Sequence, residues 1–120
     1  ATVQLVKAVF GHAAAWDQLA PEAQQRFLDN QGAWIALARA PQLPPTPCDA
    51  LGSLPMPVLV IEGANTVPGF RVTNDRLMQC LPPGAQRYVV PDAPHLWYPA
   101  NPGAASRRLL EFISGAGAGA

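Results

Sequence analysis

Apolar positions follow two different rhythms along this chain, and the rhythm changes near residue 48. In the first stretch they recur at three- and four-residue spacing. Val3, Val6, Val9 and Phe10 mark a helix over Thr2 to Phe10. A second helix is predicted from Pro21, a residue suited to the first helical position, with Glu22 just behind it at the positive end of the dipole. Phe27, Leu28, Trp34, Ile35 and Leu37 give this helix an apolar side, and Gly32 weakens it midway. Pro41, Pro44, Pro45 and Pro47 then break any helix and mark a connection.

Beyond that connection short apolar runs alternate with longer amphipathic ones. Pro57 to Ile61 reads as a strand bounded by prolines and by Gly63. A loop from Gly63 to Pro68 leads into a helix from Gly69 to Leu81, which Pro82-Pro83-Gly84 stops. Arg87 to Val90 is a second strand, followed by a loop from Pro91 to Ala100. Asn101-Pro102 is an N-cap with proline behind it, opening a final helix whose buried side is predicted to be Leu109, Leu110, Phe112 and Ile113. The Gly-Ala repeat over 115–120 is expected to be disordered.

Strand, helix, strand, helix is the order of a parallel crossover, so the fold class is α/β. A strand reading Val58-Leu59-Val60-Ile61 is apolar on both faces and belongs in a sheet covered on both sides. Two parallel strands are marginal as an isolated sheet. The missing neighbours are expected from upstream sequence or from another chain, and the start on Ala1 rather than methionine fits a piece of a longer gene product.

Composition narrows the function classes. Of 120 residues, 49% are hydrophobic and 13% charged, which is not the composition of a disordered chain. Eight basic residues balance eight acidic ones, without a basic patch for nucleic acid or an anionic membrane. No apolar run approaches a membrane-crossing helix, and no leader of the secretory kind is read at the start. Cys48 and Cys80 lack metal-like spacing; they read most simply as reduced structural thiols, with a bridge as the alternative, and the expected location is cytoplasmic.

Candidate chemistry centres on His95, one of two histidines. Ligands of open parallel sheets bind beyond the carboxyl ends of the strands, and His95 lies on the loop after the second strand. A histidine there is suited to proton transfer, its reference pKa being about 6.5. His12, behind Gly11 at a helix end, reads as structural.

The stretch PVLVIEGANT, then LPPGAQRYVVPDAPHLWYPANP and RRLLEFI, resembles the C-terminal portion of the α/β-hydrolase family. In that family a strand ends in Gly-x-x-acid, the catalytic histidine follows the next strand, and a proline opens the last helix. Here Gly63 precedes Ala64-Asn65-Thr66, His95 follows the second strand, and Pro102 opens the last helix. The segment AVFGHAAAWDQLAPEAQQRFLDNQGAW resembles the helical cap that members insert before this strand. The resemblance implies a cap segment over 1–47 and a core segment over 48–114, with His95 as general base.

Three positions depart from the family pattern. The nucleophile elbow Gly-x-Ser-x-Gly is absent, since Ser53, Ser106 and Ser114 lack its glycine frame. Thr66 occupies the usual acid position and carries no charge; some members place the acid after the preceding strand, which would lie upstream. Asp92-Ala93-Pro94 stands where the family often has glycine, and Pro94 restricts Ala93 to extended backbone. Within the chain, Glu62 reads as a strand-end residue, Asp92 as the cap of its own turn and Asp75 as solvated, so none is the leading substitute acid.

Phe10, Trp16, Phe27 and Trp34 are expected to hold the cap helices together. Trp16, Trp34 and Trp97 are the candidates for a substrate-pocket lining. The resemblance implies a parent acting on a small, fairly apolar ester-like substrate without cofactor or metal. The alternatives are a non-catalytic interaction module and one half of a split protein, inactive alone.

Overall fold

Helix α1 (Thr2–Phe10) buries Thr2 and Val6 and stops at Gly11, whose positive φ lets its N–H reach the Lys7 carbonyl at 3.0 Å. The computed structural model describes residues 2–41 and 45–115, and the chain divides into two compact units, Ala1–Pro45 and Thr46–Ala120. The rest of the first unit is a pair of helices, α2 (Pro21–Asp29) and α3 (Gln31–Arg39). One helix weakened at Gly32 is the sequence expectation; the break comes instead at Asn30. There the Asn30 side-chain amide donates to the Arg26 carbonyl at 2.7 Å, giving the backbone an alternative to continuing. Gln24 donates to the Trp16 carbonyl at 2.8 Å, tying α2 to the turn before it. Phe10, Trp16 and Phe27 are half-buried, while α3 has no buried residue and Trp34 is 40% exposed.

The second unit opens with a five-residue helix, α4 (Cys48–Gly52), that the hydrophobic pattern does not announce. Strand β1 (Leu59–Gly63), helix α5 (Pro68–Cys80) and strand β2 (Gln86–Val90) follow. A one-turn helix, α6 (Trp97–Ala100), and α7 (Pro102–Ile113) complete it. The strands pair in parallel, Leu59 with Gln86 through Gly63 with Val90. The chain is therefore mixed helix and strand with a two-stranded parallel sheet among the described residues.

Side-chain alternation distributes the strands between two faces. Ile61, Tyr88 and Val90 pack with Ala93, Ala104 and Ala105, so α7 covers this face through two alanines small enough for close approach. Arg108 of α7 also donates to Gln86. Glu62 and Arg87 occupy the other face, where Asn74 and Asp75 of α5 bond to them. Asn101 caps α7 by accepting from the Ala104 N–H at 3.4 Å.

Two expectations are corrected. The buried side of α7 is Ala104 and Ala105; Leu110 is 67% exposed and Ile113 72%, because a sheet of two strands ends before it reaches beneath them. Cys48 and Cys80 form a disulfide with Cα atoms 4.8 Å apart, linking α4 to the last residue of α5. Residues 42–44 of the proline-rich connection, and the tail from residue 116, lie outside the described residues.

Candidate active site around His95

Both strands leave the sheet at their carboxyl ends into loops that are fastened to each other. The Ala64 N–H donates to the Val90 carbonyl at 2.9 Å, and the Asn65 N–H to the Ala93 carbonyl at 2.8 Å. These bonds continue the parallel ladder past its last strand residue. Gly63 makes this closeness possible. A Cβ there would lie 2.7 Å from the Pro94 carbonyl carbon, and closer still to the carbonyl oxygens of Pro94 and Ala93. Val90-Pro91-Asp92-Ala93 turns the chain, with proline first in the corner and Asp92 at φ 54° second. That left-handed position suits Asp better than most side chains. Ala93 is fully buried by this packing.

His95 follows two residues later and is half-buried. Its ring lies flat against Phe70, with centroids 3.8 Å apart and planes 14° from parallel. Phe70 belongs to the first turn of α5, where Pro68 opens the helix. Arg71, the next residue, donates from its guanidinium to the Ala64 carbonyl at 2.6 Å and ties that turn back onto the first loop. Among the described residues no side chain hydrogen-bonds to the imidazole.

The carboxylates of this unit are engaged elsewhere. Glu62 is 3% exposed; one oxygen accepts from the Nε and Nη2 of Arg87, at 3.0 and 2.6 Å, and the other accepts from Asn74 at 2.7 Å. Asp75 takes the remaining Arg87 nitrogen at 2.6 Å, so it is partnered as well as exposed. The hydrogen bond to Asp75 raises the Arg87 pKa most, burial opposes it, and Glu62 raises it further. A raised cation contributes its full stabilisation below arginine's ordinary range and loses it only in strong alkali. Asp92 is exposed at the turn. Thr66, in the position where the resemblance puts an acid, is 7% exposed, and its hydroxyl has no hydrogen-bond partner among the described residues.

The three tryptophans have separate settings. Trp97 packs half-buried against the Val90, Ala93, Ala104 and Ala105 cluster and meets Tyr98 edge-on at 5.8 Å. Trp16 and Trp34 belong to the first unit, Trp16 half-buried and Trp34 exposed. A cleft of about 150 Å³ opens between Met56-Pro57-Val58 and Pro82 to Gln86. It lies at the amino ends of the strands, away from His95, and has no ionisable side chain in its lining, so we assign it no chemistry. Among the described residues no group of three or more His, Cys, Asp or Glu side chains is placed to hold a metal ion.

Phe70 and the steric role of Gly63 are the residues that sequence reasoning did not reach. The one signal for Phe70 is an aromatic residue in the first turn of the helix after a buried strand, facing the same sheet end as the histidine loop. Compared with known proteins, the chain matches no family model, no curated relative and no solved structure.

Proposed function

We propose that this chain is the histidine-bearing, C-terminal part of an α/β-hydrolase whose complete form cleaves a small, fairly apolar ester-like substrate. In this reading a nucleophile supplied by sequence outside the chain attacks, and His95 takes and then returns the proton. A carboxylate, also from outside the chain, orients the imidazole. The observation that carries the reading is the placement of His95 on a loop clamped across the carboxyl ends of two adjacent parallel strands. That is where catalytic groups of open α/β sheets collect. Trp97 is the candidate pocket aromatic nearest in sequence to His95, and its half-buried ring leaves part of it open to a ligand.

The sheet supports incompleteness as well. Among the described residues both strands are edges, and Leu109, Leu110 and Ile113 are exposed on α7. Further strands, from an N-terminal half or from a partner chain, would cover them. Among the described residues no helix is long and apolar enough to cross a membrane. The disulfide favours an oxidising compartment over the cytoplasmic location expected from reduced thiols.

One observation favours a second reading, a non-catalytic relative that binds without turnover. Thr66 stands in the acid's place, and its hydroxyl has no partner among the described residues.

The deciding experiment expresses the open reading frame extended upstream of the codon for Ala1 and follows p-nitrophenyl butyrate hydrolysis. The hydrolase reading expects turnover that falls by about 10⁴-fold or more in His95→Ala, and no turnover from the 120-residue chain alone. A folded extended product without turnover would overturn it in favour of the binding module, and turnover indifferent to His95 would overturn the role of His95 as general base.

A further inference from the structure

The geometry points to Phe70 as the positioning residue of His95: its phenyl face fixes the plane of the imidazole and stabilises the imidazolium formed when the ring takes a proton. The inference rests on the reading of His95 as a general base. It begins from the stack itself, 3.8 Å between centroids and 14° between planes. Face-to-face contact leaves both ring nitrogens pointing outward in the ring plane, free to serve a nucleophile on one side and an orienting group on the other. It also prevents the ring from tipping.

Each ring is anchored to the same clamp. Phe70 donates its N–H to the Val67 carbonyl at 3.1 Å, and Arg71 holds that turn to Ala64. His95 follows Ala93 and Pro94, whose backbone packs over Gly63 and accepts from Asn65. The two rings therefore keep their separation without a hydrogen bond to the imidazole among the described residues.

Electrostatics give the contact a sign. The face of an aromatic ring is partly negative and attracts a cation stacked on it. The α5 dipole directs its positive end toward this turn and acts the other way. Asp92, three residues before His95, is exposed and screened, while Glu62 and Asp75 are held by Arg87 on the other face of the sheet. At Thr66, where a carboxylate would otherwise favour the imidazolium, there is no charge. The phenyl face supplies part of that stabilisation from within the chain.

The test uses Phe70→Leu, which removes the ring and keeps apolar bulk, and Phe70→Tyr, which keeps the ring. In the 120-residue chain, the carbon-bound ring protons of His95, assigned by their loss in His95→Ala, should resonate upfield of a free histidine. Phe70→Leu should abolish that displacement and Phe70→Tyr retain it. In the upstream-extended protein, Phe70→Leu should lower kcat roughly tenfold or more with KM unchanged, and Phe70→Tyr should restore it. Unshifted His95 protons in the wild-type chain overturn the proposal. So does a kcat within about twofold of wild type in Phe70→Leu when His95→Ala abolishes turnover, which leaves the general-base reading standing. Full turnover in His95→Ala removes the general-base reading and the role of Phe70 together.

Discussion

Replacing Gly63 by alanine should loosen the structure around His95 more than any comparably small change in the second unit. The added methyl would sit inside the 3.0 Å that real Cβ atoms keep, against the backbone of Ala93 and Pro94. Backbone cannot swing aside as a side-chain tip can, so the histidine loop must lift. Lifting it breaks the Ala64–Val90 and Asn65–Ala93 hydrogen bonds, each worth about 1 kcal/mol. It also uncovers Ala93, at about 0.8 kcal/mol for a buried methyl-sized group. Against this, alanine gains about 0.5–1 kcal/mol over glycine in a strand. The expected net loss is about 2 kcal/mol, read from urea unfolding as a lower midpoint at unchanged slope. Gly69→Ala is the control, because a Cβ there meets nothing within 4 Å and the residue lies in the first turn of α5. It should leave stability unchanged or raise it by up to ~1 kcal/mol. A Gly63→Ala chain within ~0.5 kcal/mol of wild type would show that the clamp has room to spare, and the argument from close approach would fall.

Three further outcomes follow from the same unit. Reducing the Cys48–Cys80 bridge, or Cys80→Ser, should cost roughly 3–4 kcal/mol from the entropy of a 32-residue loop; equal unfolding midpoints with and without reductant, in chains shown by mass to be oxidised and reduced, would contradict it. Glu62→Gln should cost about 1–3 kcal/mol, less than a fully buried pair because the Arg87 side chain is 26% exposed; a neutral result would mean that Asn74 and Arg87 re-pair without loss. Asp92→Gly should stabilise by about 0.5 kcal/mol and Asp92→Val destabilise by about 1–2 kcal/mol, since φ 54° suits glycine and opposes a branched Cβ; equal unfolding curves for the two variants would remove the argument from backbone strain.

Local signals carried the order of elements, and non-local ones escaped. Thr2–Phe10, the proline-opened helices at Pro21 and Pro102, and the helix expected from Gly69 are written in spacing and caps within a few residues; the structure places helices there, the third opening one residue earlier at Pro68. The strands were legible as short apolar runs between prolines and glycine, and crossover order implied their parallel pairing. Helix α4 was not legible, because five residues show no periodicity and its position depends on a bond to a cysteine 32 residues away. The apolar residues of α7 misled for a related reason: Leu109, Leu110 and Ile113 have the spacing of a core face, yet among the described residues they are exposed. At the candidate site, the place of His95 on the loop after the second strand was readable. Its partner Phe70 was not, since the stack joins residues whose approach is decided by how closely two backbones meet at Gly63.

The sheet register also shapes how quickly this unit can fold. Leu59 pairs with Gln86, and every other strand pair has the same separation of 27 positions, so no hairpin of near neighbours is available as a nucleus. Chain-closure entropy has to be met before the first strand contact gives anything back, which slows folding. During that interval both apolar strands stay unpaired and open to other chains. The Cys48–Cys80 link alters this timing, because it already encloses β1 and α5 in one covalent ring whose far end lies six residues before β2. A chain refolded with the link intact begins its search over a shorter effective loop, and should reach the paired state faster and with less loss to precipitation than one refolded reduced.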